Sequence, residues 1–352
     1  MIRVLVVDDS AFARKVIREV LSSDPEIEVV GIARDGLDAL EKIAELQPDV
    51  VTLDLLMPNL DGLGVLRTLG HRPKPRCVVV STSDDQSLLA IQALEAGAVE
   101  LVHKPTALAT DRLYELSTDI VRKVKIAAAA RQPGEGGDRQ VDAGLTHAPH
   151  TLAPEVAVVP RAHSSVRIVV IGASTGGPQA LTRLLGSLPR EFPVPIAVVL
   201  HMPIGYTNAL ALRLNDACSI DVFEAHEGAL VKPGQAVIAR AGMHMRVAEG
   251  VNGVRIRLSV EPLNSLHCPA VDVLFSSAAE AFGAHVLGAV LTGMGEDGLQ
   301  GARAIHAAGG KILTEAESSC VVYGMPRAVF EAGLSAEGVA LEGMSASILR
   351  SL

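Results

Sequence analysis

Strand-like and helix-like segments alternate regularly along the first 125 residues, and this alternation restricts the fold more than any other feature of the sequence. Short apolar runs predict five strands, and stretches with helical periodicity predict a helix after each of them. Such alternation is typical of an α/β domain with a parallel, doubly wound sheet. The predicted strands are residues 2–7, 27–32, 50–53, 77–80 and 99–102, and the predicted helices are residues 11–21, 36–46, 62–69, 86–96 and 108–125.

Polar side chains follow four of these strands: Asp8 and Asp9 the first, Asp54 the third, Ser81 the fourth and Lys104 the fifth. Since the carboxyl ends of parallel strands meet at one edge of the sheet, we expect these side chains to converge there. Three carboxylates together favour a Mg²⁺ ion, and a lysine and a hydroxyl beside them can bind a phosphoryl group. The pattern indicates that Asp54 is a nucleophile that forms an aspartyl phosphate. For any one of these residues taken singly, helix capping is the alternative.

The regular pattern is lost between residues 126 and 165, where a Gly-rich run at 131–138 is followed by further Pro, His and Ala without a period. We predict a flexible linker there. Alternation returns at Val166, so residues 166–352 are predicted to form a second, larger α/β domain with a doubly wound parallel sheet. Short strands at 237–240, 245–248 and 254–258, interrupted by glycines, predict a short antiparallel hairpin within it.

The second domain opens with an apolar β-branched run that leads into Gly172, Ser174, Gly176 and Pro178. The match to G-x-S-x-G indicates a serine hydroxyl held exposed on a tight strand-to-helix turn. Unpaired N–H groups at the start of the following helix would suit a developing oxyanion. The alternatives are a purely structural turn and a phosphate-binding loop.

Two further predicted strands place a histidine and an acid near this serine. His201 directly follows the strand at 196–200, and Asp297 lies in a glycine-rich loop after the strand at 286–291. Parallel strands bring their carboxyl ends to the same edge, so Ser174, His201 and Asp297 are predicted to meet. His201 would take the proton from Ser174 while Asp297 orients the imidazole. Backbone N–H groups near Thr175 and Met294 are the candidate donors to the oxyanion.

Other residues compete for the roles of base and orienting acid. Asp297 could simply cap the helix that follows it, and Glu296 or Asp272 could orient the base instead. Three further histidines lie in less clearly strand-end positions: His226, His244 and His267. His267 is the strongest rival, because it precedes a loop at residues 268–272 that could border the site.

Composition narrows the class of function. The formal net charge of −9 argues against nucleic acid as a partner, because phosphate binding needs clustered Lys and Arg. The four cysteines lie far apart without a C-x-x-C pair, which favours free thiols in a reducing compartment. No apolar run approaches the roughly 18 residues of a membrane span, and the N-terminal segment lacks the apolar core of a signal peptide. We therefore expect a cytoplasmic protein without membrane insertion.

Motifs of the first region carry a family resemblance: the Asp8-Asp9 pair, the stretch at residues 53–62, Ser81 and the Lys104-Pro105 pair. Together they resemble the receiver domain of two-component response regulators over residues 1–125. The resemblance implies that Asp54 accepts the phosphoryl group and that Asp8 and Asp9 hold Mg²⁺ with it. It also implies that Ser81 and Lys104 respond to the phosphoryl group.

Motifs of the second region lie at residues 172–178, 201–203, 269–272, 292–298 and 321–326. They resemble the CheB family, the chemotaxis protein-glutamate methylesterases, which consist of a receiver, a linker and an esterase domain in this order. The resemblance implies a triad of Ser174, His201 and Asp297 that needs no cofactor. It implies hydrolysis of glutamate methyl esters, and deamidation of certain glutamines, on methyl-accepting chemotaxis receptors. A chemotaxis histidine kinase would be the phosphodonor, and sensory adaptation the outcome.

Three positions depart from the family patterns. Leu101 stands where receivers commonly carry an aromatic switch residue, and Cys268 and Ala270 stand where Arg and Ser are common in the esterase domain. We expect phosphorylation and the acyl chemistry to survive these departures, and substrate preference to be affected.

Two other classes of function compete with a regulated esterase. One is a non-catalytic signalling scaffold whose serine, histidine and acid are structural. The other is a DNA-binding response regulator, which the acidic charge and the lack of a basic helix-turn-helix pattern disfavour.

Overall fold

The computed structural model describes residues 1–70, 75–81, 87–104, 110–130 and 166–352. Most of the predicted linker, and Pro105 of the receiver motif, lie outside these residues. Two α/β domains are present, each built on a parallel sheet, so the predicted fold class is confirmed. No helix in the described ranges has both the length and the apolar character needed to cross a bilayer.

The first domain contains a five-stranded sheet in the order β2-β1-β3-β4-β5, in which every pairing is parallel. All four residues of β3 are buried, as expected of a central strand with helices on both faces. The strands are β1 (Ile2–Val7), β2 (Ile27–Ala33), β3 (Val50–Leu53), β4 (Arg76–Ser81) and β5 (Glu100–His103). The helices are α1 (Ala11–Ser22), α2 (Gly36–Leu46), α3 (Gly62–Leu69), α4 (Ser87–Glu95) and α5 (Thr110–Ala129), and α5 extends past the predicted boundary at residue 125.

The second domain contains a seven-stranded parallel sheet in the order β15-β14-β13-β6-β7-β10-β8. Its strands are β6 (Ile168–Ala173), β7 (Ile196–Leu200), β8 (Asp221–Glu224), β10 (Gln235–Ile238), β13 (Val286–Val290), β14 (Lys311–Glu315) and β15 (Gly338–Val339). The helices are α6 (Gly177–Gly186), α7 (Thr207–Ala217), α8 (Val271–Phe282), α9 (Leu299–Ala307), α10 (Met325–Glu331) and α11 (Leu341–Ser351). The neighbouring strands β13, β6 and β7 end at the same edge, which positions the candidate site.

A small antiparallel sheet confirms the predicted hairpin. It joins β11 (His244–Gly250) to β12 (Gly253–Ser259), with the short β9 (Leu230–Val231) beside β12. The strand predicted at residues 237–240 does not belong to this excursion. Its first two residues, Val237 and Ile238, lie in β10, which belongs to the main sheet between β7 and β8. Ala236, Val237 and Ile238 are fully buried, as in a strand covered on both faces.

The two domains pack against each other through α4, which lies against α6 and α7. The amide of Gln179 donates to the carbonyl oxygens of Leu94 at 2.6 Å and Ala98 at 3.0 Å. The guanidinium of Arg213 binds both carboxylate oxygens of Glu95, at 2.9 and 3.1 Å. These contacts hold the first domain beside the strand ends of the second.

Candidate active site

Ser174 lies on a tight turn between β6 and α6. Its backbone N–H donates to the carbonyl of Thr292 at 3.0 Å, and its carbonyl accepts from Gly177 at 2.7 Å. Gly176 has a φ of +78°, and a Cβ there would lie 2.6 Å from the side chain of Val321. Only glycine fits this conformation and this space. The turn between β6 and α6 therefore has the tight backbone geometry that the G-x-S-x-G pattern predicts.

His201 and Asp297 are joined by a hydrogen bond. The Nε2 atom of His201 lies 2.8 Å from Oδ2 of Asp297, and both side chains are only about one-tenth exposed. The strands before His201 and Ser174 are neighbours, with Leu200 opposite Ala173. Among the described residues, the buried Nδ1 of His201 has no hydrogen-bond partner, so no bond to Ser174 is formed in this arrangement. Catalytic hydrogen bonds are often longer in enzymes without substrate and tighten in the complex.

Asp297 and Asp272 each bind the start of a helix on the other's segment. Asp297 accepts from the N–H groups of Val271 at 2.8 Å and Asp272 at 2.9 Å, at the start of α8. Asp272 accepts from Gly298 at 3.0 Å and Gly301 at 2.7 Å, at the start of α9. Both acids therefore cap a helix, and of the two only Asp297 also binds His201.

The two carboxylates differ in their electrostatics. Burial raises the pKa of Asp297, but the hydrogen bond and charge of His201 and the two backbone N–H groups outweigh it, so its pKa is lowered overall. Burial dominates at Asp272, whose pKa is raised despite its backbone donors. An ionised Asp297 is the form that stabilises an imidazolium.

The other candidates for the base and the orienting acid differ in their surroundings. Glu296 is exposed, and His226 is exposed with its ring near the carbonyl of Glu227 at 3.4 Å. His244 is buried; its Nδ1 accepts from Ala270 at 3.2 Å and its Nε2 contacts the carbonyl of Pro262. None of these three residues has a described contact with Ser174. His267, in contrast, lies against His201 in the same cavity.

Backbone N–H groups near Ser174 are available for an oxyanion. In the described part of the chain, neither the N–H of Thr175 nor that of Met294 donates a backbone hydrogen bond. The loop that carries Met294 is anchored by Gly293, whose carbonyl accepts from Gly324 at 3.0 Å and Met325 at 2.8 Å. Both candidate donors thus lie on backbone segments that contact the Ser174 turn.

Two residues that the sequence analysis did not single out support this turn. The hydroxyl of Thr292 donates to the carbonyl of Thr175 at 2.9 Å, and the Thr292 N–H donates to the carboxylate of Glu315 at 2.8 Å. Glu315 is fully buried, and burial raises its pKa. Glu315 ends strand β14, so the strand-end rule applied elsewhere would have found it.

The acidic residues of the first domain form a cluster that suits a small cation. Carboxylate oxygens of Asp8, Asp9 and Asp54 lie within 4.8 Å of one another, and hard oxygen donors of this kind fit Mg²⁺. Lys104 Nζ lies 2.7 Å from both Asp8 and Asp54. Burial raises the pKa of Asp8, whereas the two carboxylates raise the pKa of Lys104 against the opposing effect of its burial. Ser81 is buried at the end of β4 beside this cluster.

The first domain covers the Ser174 edge of the second. A cavity of about 220 Å³ lies between Glu100, Asp119, Arg122 and Lys123 of the first domain and a set of second-domain residues: Ser174, His201, Met202, Pro203, His267, Cys268 and Pro269. The Thr175 hydroxyl donates to the carboxylate of Glu100, and the Tyr206 hydroxyl donates to the carbonyl of Ser81 at 3.0 Å. The turn that carries Ser174 and the end of β4 that carries Ser81 therefore both lie at the interface between the two domains.

Each of the two domains matches a different family model. The CheB methylesterase family model matches residues 169–348, and the response regulator receiver domain model matches residues 4–115. The chain belongs to the CheB methylesterase family. A receiver domain precedes the methylesterase domain, as the sequence motifs predicted.

Relatives of this CheB family member share its length. A Myxococcus xanthus protein named protein-glutamate methylesterase/protein-glutamine glutaminase 5 is 58% identical over 353 residues, covering 99% of this chain and 97% of that protein. A similarly named Koribacter versatilis protein is 43% identical, covering 97% and 94%. The crystal structure of the Thermotoga maritima CheB methylesterase catalytic domain is 37% identical with a TM-score of 0.52, covering 53% of this chain and 99% of that one.

Proposed function

We propose that this protein is a phosphorylation-activated serine hydrolase that demethylates glutamate methyl esters, and deamidates certain glutamines, on methyl-accepting chemotaxis receptors. Its role would be sensory adaptation, and its location the cytoplasm. The observation that carries the proposal is the 2.8 Å hydrogen bond between Asp297 and His201, whose side chain lines the same cavity as Ser174. The names of the relatives, protein-glutamate methylesterase/protein-glutamine glutaminase, support the same two reactions.

The acylation step uses the free nitrogen of His201. The Ser174 hydroxyl attacks the ester carbonyl carbon while Nδ1 of His201 takes the hydroxyl proton. Asp297 stabilises the imidazolium, and the N–H groups of Thr175 and Met294 bind the oxyanion. When the tetrahedral intermediate collapses, the departing methoxy oxygen takes the proton from His201, so that methanol leaves and a glutamyl ester of Ser174 is formed.

Deacylation repeats the same proton transfers with water. His201 takes a proton from water as its oxygen attacks the glutamyl carbonyl. Collapse of the second intermediate returns that proton to the oxygen of Ser174 and releases the glutamate side chain. With a glutamine side chain, ammonia takes the place of methanol as the leaving group.

The receiver domain would supply the control. Asp54 would accept a phosphoryl group from a chemotaxis histidine kinase. Asp8, Asp9 and Asp54 would hold the Mg²⁺ ion, which would supply positive charge to offset that of the carboxylates and the phosphoryl group. Lys104, which now bridges two carboxylates, can exchange one of them for a phosphoryl oxygen. Lys104 and Ser81 thereby report phosphorylation to β4 and β5.

The position of the receiver supports inhibition in the unphosphorylated state. Glu100 at the start of β5 accepts from Thr175, the residue after the nucleophile, and receiver side chains line one side of the cavity. In this arrangement the receiver would restrict the access of a receptor segment to Ser174. Phosphorylation of Asp54 would favour an open arrangement of the two domains.

The function is tested with the full chain and a purified methyl-esterified receptor. We expect methanol release from the esterified receptor, ammonia release from its glutamine form, and an increase in both rates when Mg²⁺ and acetyl phosphate are added. Asp54→Asn should keep the basal rate and lose the increase. Absence of methanol release with and without the phosphodonor would contradict the proposal.

Weakening the domain interface should raise the basal rate. Glu95→Arg replaces the ion pair with Arg213 by two like charges, so we expect methanol release without phosphodonor to rise about twofold to fivefold, since an exposed pair contributes less than about 1 kcal/mol. The matched control is the double variant Glu95→Arg, Arg213→Glu, which restores opposite charges and should return the basal rate to that of the wild type. An unchanged rate in the single variant would argue against inhibition through this interface.

A further inference from the structure

The imidazole of His267 lies flat against that of His201. The two ring centroids are 4.0 Å apart, and the ring planes differ by 21°. The two residues are far apart in the chain, since His201 follows β7 and His267 lies in the loop between β12 and α8. The tertiary structure therefore brings a second aromatic ring onto one face of the proposed base.

His201 needs such a support because its own hydrogen bonds fix it incompletely. Its Nε2 is held by Asp297, but its Nδ1 has no partner among the described residues. One hydrogen bond leaves the ring able to turn about the axis of that bond. A flat ring at van der Waals distance removes this freedom, because turning would bring the two rings into collision.

We propose that His267 is a positioning residue for the ester hydrolysis, whose ring fixes the plane of His201 and presents a π face to the imidazolium that forms there. The inference rests on the proposed roles of Ser174 and His201. It gives His267 no proton-transfer role, because the oxygens of Asp297 bind His201, Val271 and Asp272 instead. Stacking of a cation on a neutral aromatic ring is favourable, the more so where water is excluded.

The electrostatics keep His267 neutral. Burial, followed by the charge of His201, lowers the pKa of His267 to about 4, with a smaller contribution from Arg122 in the same direction and an opposing one from Asp297. Near neutral pH the ring therefore carries no charge that would oppose protonation of His201. The stack can favour the imidazolium throughout the pH range in which the enzyme would work.

Two variants separate a positioning role from the alternatives. His267→Phe keeps a flat ring without nitrogen atoms, and His267→Leu keeps apolar volume without a flat ring. With the full chain, Mg²⁺ and acetyl phosphate, we expect the Phe variant to retain activity within threefold. We expect the Leu variant to lose about tenfold in kcat with KM within twofold, both for methyl-esterified receptor and for p-nitrophenyl acetate.

Each other result overturns the proposal in a recognisable way. A Phe variant as inactive as Leu would show that a nitrogen of His267 is required, as for a base. A Leu variant that is fully active, or impaired only towards the receptor, would show that the stack does not position His201. Ser174→Ala and wild type, assayed in parallel, keep these outcomes distinct from failure of the proposed function, and thermal unfolding of both His267 variants reveals any loss of folded protein.

Discussion

Replacing Ser174 with alanine is expected to lower kcat/KM for methanol release at least about 10⁴-fold. The hydroxyl is the nucleophile of the proposed acylation step, without which no later step can occur. The turn that carries it is held by backbone bonds that alanine keeps: Ser174 N–H to Thr292 and Gly177 N–H to Ser174. The loss should therefore appear without a change in fold. Methanol release from esterified receptor measures the rate, and circular dichroism and thermal unfolding measure the folded state.

Ser187→Ala provides the matched control. Ser187 lies at the other end of α6 and donates its hydroxyl to the carbonyl of Leu184 at 2.7 Å, far from the chemistry. We expect activity within twofold of wild type. A serine-reactive phosphonate should label Ser174 in wild type and in Ser187→Ala but not in Ser174→Ala. Full activity in Ser174→Ala would contradict the mechanism, and a wild type that resists labelling would favour a non-catalytic scaffold.

Much of the fold was predictable because parallel sheets have a simple relation to sequence. Apolar runs such as Val50–Leu53 are buried on both faces, so they stand out against the amphipathic helices between them. The same topology places the residue after each strand at one edge of the sheet. This rule found Asp54 and Lys104 in one domain and His201 and the Asp297 loop in the other, and the structure brings each pair within hydrogen-bond distance.

The remainder depends on contacts that have no local signal. Asp272 and Asp297 each follow a helix-capping pattern, and only the packing of α8 against α9 shows that each binds the start of the other's helix. The stack of His267 on His201 arises between segments from different parts of the chain, as does the contact of Glu100 with Thr175. The hairpin predicted over residues 237–258 includes one strand too many, because Gly242 favours a turn after residues 237–240 while their short apolar run suits a central strand equally well.

The second large effect is a loss of activity on substitution of Asp297, which can be separated from its role as a helix cap because Asp272 caps a helix in the same way. Asp297→Asn is expected to lower kcat for methanol release about 10³- to 10⁴-fold. The amide of asparagine carries no negative charge to stabilise the imidazolium. Its NH₂ group would donate to Nε2 of His201 and so favour the tautomer that is protonated at Nδ1, which cannot take the proton of Ser174. Its oxygen can still accept from the start of α8, so the protein should fold, at a cost of about 1–3 kcal/mol for the weakened backbone hydrogen bonds.

Asp272→Asn is the control that decides between the two acids. It makes the same chemical change beside Asp297, but its carboxylate binds Gly298 and Gly301 and not His201. Since asparagine caps helices nearly as well as aspartate, we expect activity within threefold and a small loss of stability. A loss of activity in Asp272→Asn that equals that of Asp297→Asn would assign the orienting role to Asp272 or to the packing of both helices.

The pH dependence of stability gives Asp297→Asn an independent signature. The pKa of Asp297 is lowered in the folded protein, so its carboxylate stabilises the fold fully above its unfolded pKa of about 4 and loses this contribution as the pH falls through the folded value. The difference in free energy of unfolding between wild type and Asp297→Asn should therefore be fully present above about pH 4 and shrink as the pH falls below that value. Urea denaturation at a series of pH values measures it. A difference that stayed constant with pH would mean that the variant removes packing rather than the charge on which stabilisation of His201 depends.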